Sequence, residues 1–152
     1  MNMFSRAFSQ LDFRKWFDRM HPQTLAIGTW LLYIDAVFST LGFLDKSNEF
    51  GALRIIGPMT GLVGLVSCLC LAGSGFLMAN GKLLGWYIGI AASLSHLLAR
   101  FIISAYQEDY GFTYSLADRI TGGNLVSFMF EAALVVLLVH PMSRSYVRTW
   151  LR

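Results

Sequence analysis

The sequence predicts an all-α integral membrane protein, a four-transmembrane-helix bundle with both termini on the cytoplasmic side. Three observations carry that expectation. The chain is 55% hydrophobic and only 14% charged, against about 25% charged in an average soluble domain. It contains four apolar runs, at 25–44, 58–79, 83–106 and 124–140. Each is seventeen residues or longer, about the minimum for a helix to cross a hydrocarbon core of roughly 30 Å. Lysine and arginine are also distributed unevenly between the two sides these runs define. Only helices and closed barrels satisfy their backbone in lipid, and the runs lack the short alternation of barrel strands. At 152 residues the length suits one membrane domain, 1–152.

The segment before the first run carries Arg6, Arg14, Lys15 and Arg19. Ser9 with Asp12 has the spacing of a capping box and predicts a short helix on which Phe13, Trp16, Phe17 and Met20 share a face. Basic residues beside that face suit a helix lying in the inner interface, or a docking surface for a partner. No small-x-small cleavage site follows the first run, so it reads as a retained span rather than a signal peptide.

Prolines mark the ends of the runs. Pro22 and Pro58 stand near helix starts, where a missing N–H costs nothing, and Pro141 follows the last run. Asn80-Gly81 breaks the second run from the third and predicts an antiparallel hairpin. The longest loop holds Tyr110, Phe112 and Tyr114, and its middle, Ser115 to Gly122, suits one or two capped helical turns. The tail alternates arginine with Tyr146 and Trp150, as an interfacial anchor does. That ending, His140-Pro141 followed by serine, arginine and aromatics, is similar in a general way to small multi-span bacterial membrane proteins and implies no activity.

Orientation follows from charge. Arg6, Arg14, Lys15, Arg19, Lys82, Arg144, Arg148 and Arg152 fall on one side. Lys46, Arg54 and Arg119 fall on the other, mixed with Asp45, Glu49, Glu108, Asp109 and Asp118. The excess side is expected to face the cytoplasm. Basic residues clustered at the termini suit anionic headgroups, not nucleic acid. A bacterial inner (plasma) membrane is the expected location, from the compact loops and uncleaved N-terminus.

Small residues stripe every run. Gly57, Gly61 and Gly64 begin one stripe in the second run, and Gly81, Gly85 and Gly89 form overlapping G-x-x-x-G steps at the third. Lipid gives helices no hydrophobic drive to associate, so these faces are expected to pack the helices closely. Cys68 and Cys70 read as small core residues.

The third stripe continues through Ser93 to His96 and Arg100 at helical spacing. Asp35 in the first run and Glu131 in the fourth lie on comparable faces near mid-membrane. Charges there are costly toward lipid, so Asp35, His96, Arg100 and Glu131 are expected to meet inside the bundle. Two carboxylates against one arginine leave surplus negative charge, and a proton on a carboxyl or on His96 would offset it.

No nucleophile stands beside a base, and no metal-ligand spacing or phosphate-binding loop occurs. The three histidines do not pair at one depth as haem ligands would. No cofactor or metal is expected. The sequence reading therefore favours a non-enzymatic accessory or assembly subunit of a larger membrane complex. Its partners would be the bilayer and other membrane subunits, and the charged cluster would act as structural glue. The alternative is a small proton-coupled transporter or ligand-binding membrane protein using that cluster.

Overall fold

The structure, a computed structural model, describes residues 11–151. Among these residues it is all-helical. In chain order the helices are α1 (Gln23–Asp45), α2 (Glu49–Ile56), α3 (Pro58–Ala79), α4 (Leu83–Glu108), α5 (Leu116–Thr121), α6 (Leu125–Val139) and α7 (Pro141–Trp150). Three stretches are long and apolar enough to cross a membrane: Gln23–Ile56, Pro58–Ala79 and Leu83–Glu108. A fourth joins them if α6 and α7, bent by 48° at their junction, form one span. The bend lies where a proline restricts its neighbour: His140 is extended at ψ 141°, and Pro141 opens α7. Helix α6 alone has 15 residues, about 22 Å of rise. It is shorter than the run 124–140, because Asn124 caps it and His140 ends it.

Helix α2 is absent from the sequence reading, which places residues 45–57 in a loop. Asn48 makes it possible: its side chain accepts from the Gly51 N–H and donates to the Ser39 carbonyl at 3.0 Å. Phe50 and Leu53 are fully buried, so α2 folds back against α1, α3 and α4. Gly51 permits that corner, since a Cβ there would meet the Gly42 carbonyl oxygen at 2.5 Å.

The glycines divide into packing and turn positions. Gly61 lies against Arg54 and Gly64 against Phe50, so both receive α2. At Gly85 a Cβ would stand 2.6 Å from the Met78 nitrogen, which makes it the close point of the α3–α4 hairpin. Gly89 keeps ordinary distances of 3.5 Å to Leu32 and Ser74. Gly57 and Gly81 do not belong to these faces. Gly57 is the extended link between α2 and α3, and Gly81 sits in the hairpin turn at φ +72° with no neighbour within 4 Å of its would-be Cβ.

The expected N-terminal helix is corrected over residues 11–20, which form turns and bends; Ser9, its expected cap, lies outside the described residues. The reason is competition from side chains. Asp12 accepts from the Arg14 N–H and Asp18 from the Met20 N–H, each two positions on. Asn80 then fixes the segment, accepting from the Asp12 N–H at 2.8 Å and donating to the Lys15 carbonyl at 3.1 Å. The aromatic residues lie on the surface of the bundle, still exposed, and touch it ring to ring: Phe13 stacks on Phe76, Trp16 meets Phe76 and Tyr33, and Phe17 stacks on Trp30.

These contacts gather the N-terminal segment, the α3–α4 turn and α7 at one end of the bundle. Thr24 and Ser143 are 2.8 Å apart there, and the His21 ring meets Tyr146 edge-on. The opposite end holds α2, the end of α4 and α5. Ser115 and Gly122 cap α5, the short helix expected in the long loop.

Candidate functional site: a charged cluster beside a cavity

The four charged residues singled out in the apolar runs come together, joined by a fifth. His96 and Arg100 lie one turn apart on α4, 5% and 4% exposed. The His96 Nε2 atom stands 3.2 Å from Asp35 Oδ2 on α1 and 3.4 Å from the Ser39 hydroxyl. Ser39 donates to the other oxygen of Asp35 at 3.2 Å, which fixes that carboxylate one turn above it. Arg100 Nη2 donates to Glu131 Oε1 on α6 at 2.5 Å.

Glu49 completes the cluster, and sequence reasoning assigned it to the outer loop. Arg100 Nε donates to its Oε1 at 2.8 Å, while Nη1 donates to the Ile120 carbonyl at 2.8 Å. The guanidinium therefore binds α2, α5 and α6 at once, with each of its three nitrogens engaged. The available signal was the run Asn48-Glu49-Phe50, a helix cap and an acidic first turn leading into apolar residues. An exposed loop does not need Phe50, Leu53, Ile55 and Ile56 so close together.

Two features separate the His96 side from the Arg100 side. First, His96 Nδ1 is buried without a hydrogen-bond partner. Its nearest carboxylate, Glu131 Oε1, lies 3.9 Å away, close enough for Coulomb attraction and too far for a hydrogen bond. Phe50 covers the ring, centroids 4.5 Å apart. Second, a cavity of about 500 Å³ opens between α1 and α6 and reaches Asp35, Glu49, His96 and Glu131. The two helices meet at Gly28, where a Cβ would be 3.3 Å from Leu138. Beyond that contact, Leu31, Ile34 and Phe38 face Phe130 across the cavity. The Arg100 guanidinium lines a different cavity, of about 490 Å³, under α5 and the long loop with Tyr114 and Asp118.

Comparison with known protein families, curated protein sequences and solved structures finds no match. Chemistry must therefore be read from these side chains. Among the described residues, no group of three His, Cys, Asp or Glu side chains has the arrangement to hold a metal ion. Cys68 is buried and Cys70 half-buried, both as free thiols. The arrangement can hold a proton, since an imidazole lies between two carboxylates. It can also receive a small molecule whose polar end meets those carboxylates and whose body meets the apolar walls.

Proposed function

We propose that this chain is a four-span membrane protein that binds a small ligand in the cavity between α1 and α6, with proton exchange at His96. The observation that carries this reading is the cavity of about 500 Å³ ending on Asp35, His96 and Glu131. An ion-pair network serving only to fix the helices needs no such space. The sequence expectation favoured glue, and the Arg100 side of the cluster fits that role. The His96 side, with one nitrogen unpartnered and a roomy approach, supports the ligand-binding alternative instead.

The topology proposed is both termini cytoplasmic, in a bacterial inner membrane. It is supported by the excess of Lys and Arg on the N-terminal segment, Lys82 and the tail. Those segments pack at one end of the bundle. Crossing four times requires α6 and α7 to act as one bent span.

Accessory-subunit function is the second reading, favoured by the position of the cavity between two helices with outward-facing apolar residues such as Phe38 and Phe130. A helix of another subunit carrying a cation would fit there too. Co-purification from native membranes separates the two, and modification at Ser127, which lines the cavity, tests whether the space is open in the lone protein. In a Cys68→Ala, Cys70→Ala background, Ser127→Cys in the purified lone protein is expected to react with methyl methanethiosulfonate within minutes. An unreactive thiol, or a chain that purifies from native membranes only with a second subunit, would contradict the ligand-binding reading.

A further inference from the structure

We infer that the cavity between α1 and α6 binds an amphiphilic cation, an ammonium or related onium group on an apolar body, taken up in exchange for the proton on His96. This rests on the ligand-binding reading above and specifies what the ligand is.

The sign of the charge follows from which groups face the space. Asp35 from α1, Glu49 from α2 and Glu131 from α6 all border it. Arg100, the cluster's fixed cation, spends its Nε on Glu49, its Nη2 on Glu131 and its Nη1 on the Ile120 carbonyl, and it lines the neighbouring cavity instead. An anion would meet three carboxylates with no guanidinium turned toward it. A cation meets complementary charge, and Phe38 and Phe130 at the rim offer apolar surface beside it. Leu31 and Ile34 complete the walls for an apolar body. The volume of about 500 Å³ lies within the roughly 300–1,000 Å³ of drug-sized ligand sites.

Exchange with a proton follows from His96. Asp35 faces its Nε2 at 3.2 Å, Glu131 faces its Nδ1 at 3.9 Å, and Arg100 lies one turn on along the same helix. Glu49 stands behind, held by Arg100. In the neutral ring Nδ1 is a buried acceptor with no donor; protonated, it is a donor whose nearest acceptor is too distant. Neither state is saturated, so neither is locked. An imidazolium and a ligand cation sharing these carboxylates repel in a medium of low dielectric. Entry of the cation therefore breaks the imidazolium N–H bond, the proton passes to water, and the count of positive charges in the cluster is unchanged.

The test uses tetraphenylphosphonium, which cannot titrate, with the full chain in lipid nanodiscs and empty nanodiscs as control. Equilibrium dialysis between pH 5 and 8 is expected to show binding that tightens as pH rises. Wherever His96 holds its proton before the cation enters, the slope should approach about tenfold per pH unit, the value for one displaced proton. His96→Gln should flatten that slope, whatever affinity it keeps at pH 8. Asp35→Asn, which leaves the Arg100 contacts intact, should weaken binding at pH 8 by about tenfold or more. Binding with no pH dependence in the unaltered chain would overturn the exchange. Equal or tighter binding of neutral triphenylphosphine oxide or anionic tetraphenylborate would overturn the cation assignment while leaving the ligand cavity standing. Failure of all three probes, with Ser127→Cys unreactive, would overturn both.

Discussion

The Arg100 guanidinium donates through Nε to the Glu49 carboxylate at 2.8 Å, across 51 positions of the chain. That contact fastens the short helix α2 to the centre of α4, while Nη2 fastens α6 through Glu131 at 2.5 Å. With the Ile120 carbonyl of α5 taken by Nη1, four helices share one side chain that is 4% exposed. Removing one partner of a buried pair leaves the other charge uncompensated. Arg100→Gln is expected to cost about 3–5 kcal/mol, read as a lowered midpoint of thermal unfolding in mild detergent. Arg100→Lys, which keeps the charge and loses the planar fork, should fall between the two.

The α3–α4 hairpin offers a graded test of helix contact. A Cβ at Gly85 would stand 2.6 Å from a backbone nitrogen of α3, whereas at Gly89 the nearest atoms are 3.5 Å away. Gly85→Ala is expected to destabilise by about 1–3 kcal/mol through forced separation of the helices. Gly89→Ala should be close to neutral, within about 0.5 kcal/mol. Equal effects in thermal unfolding would show that the hairpin does not close at Gly85.

The N-terminal segment depends on Asn80. Its side chain accepts from the Asp12 N–H and donates to the Lys15 and Phe76 carbonyls. Asn80→Ala removes those bonds, worth about 1–2 kcal/mol of local docking. Trypsin cleavage at Arg14 and Lys15 should then be faster by about tenfold, as the open population grows.

His21, just before α1, gives a pH dependence at the same end. Burial holds its imidazole below the ordinary value, against the opposing pull of the Asp18 carboxylate. A folded form that resists protonation is destabilised when the unfolded chain takes up the proton first. Stability from this group is complete above the ordinary value of about 6.5 and is lost as pH falls through the lowered folded value. His21→Gln should reduce the fall in melting temperature between pH 7 and 5 relative to the unaltered chain.

Much of the helical layout was legible because it follows from the length of apolar runs and from local punctuation. Pro58, Asn80-Gly81, Ser115 with Gly122, and Pro141 mark element ends by backbone chemistry that needs no tertiary contact. The meeting of Asp35, His96, Arg100 and Glu131 was also legible, since helical spacing aligns their faces and lipid is a poor solvent for charge. Glu49 was not, because its role depends on α2 folding back, and an eight-residue helix has no periodicity strong enough to separate it from a loop. The N-terminal segment misled for a related reason: a capping pattern and an aromatic face are local signals, and Asp12 and Asp18 bind their own backbone instead. The cavity has no sequence signature at all, since it arises from how α1 and α6 part beyond Gly28.

The most direct discrimination between glue and a working site is the thermal stability of Asp35→Asn in lipid nanodiscs. Asparagine keeps the shape and an acceptor for His96, and removes one of three carboxylates gathered around one arginine and one histidine. If the His96 side is held as a ligand site, surplus negative charge is a burden on the empty protein, and the variant should melt at the same temperature or higher. A loss of about 3 kcal/mol or more, the scale of a broken buried ion pair, would show instead that Asp35 holds the bundle together and would contradict the ligand-binding reading.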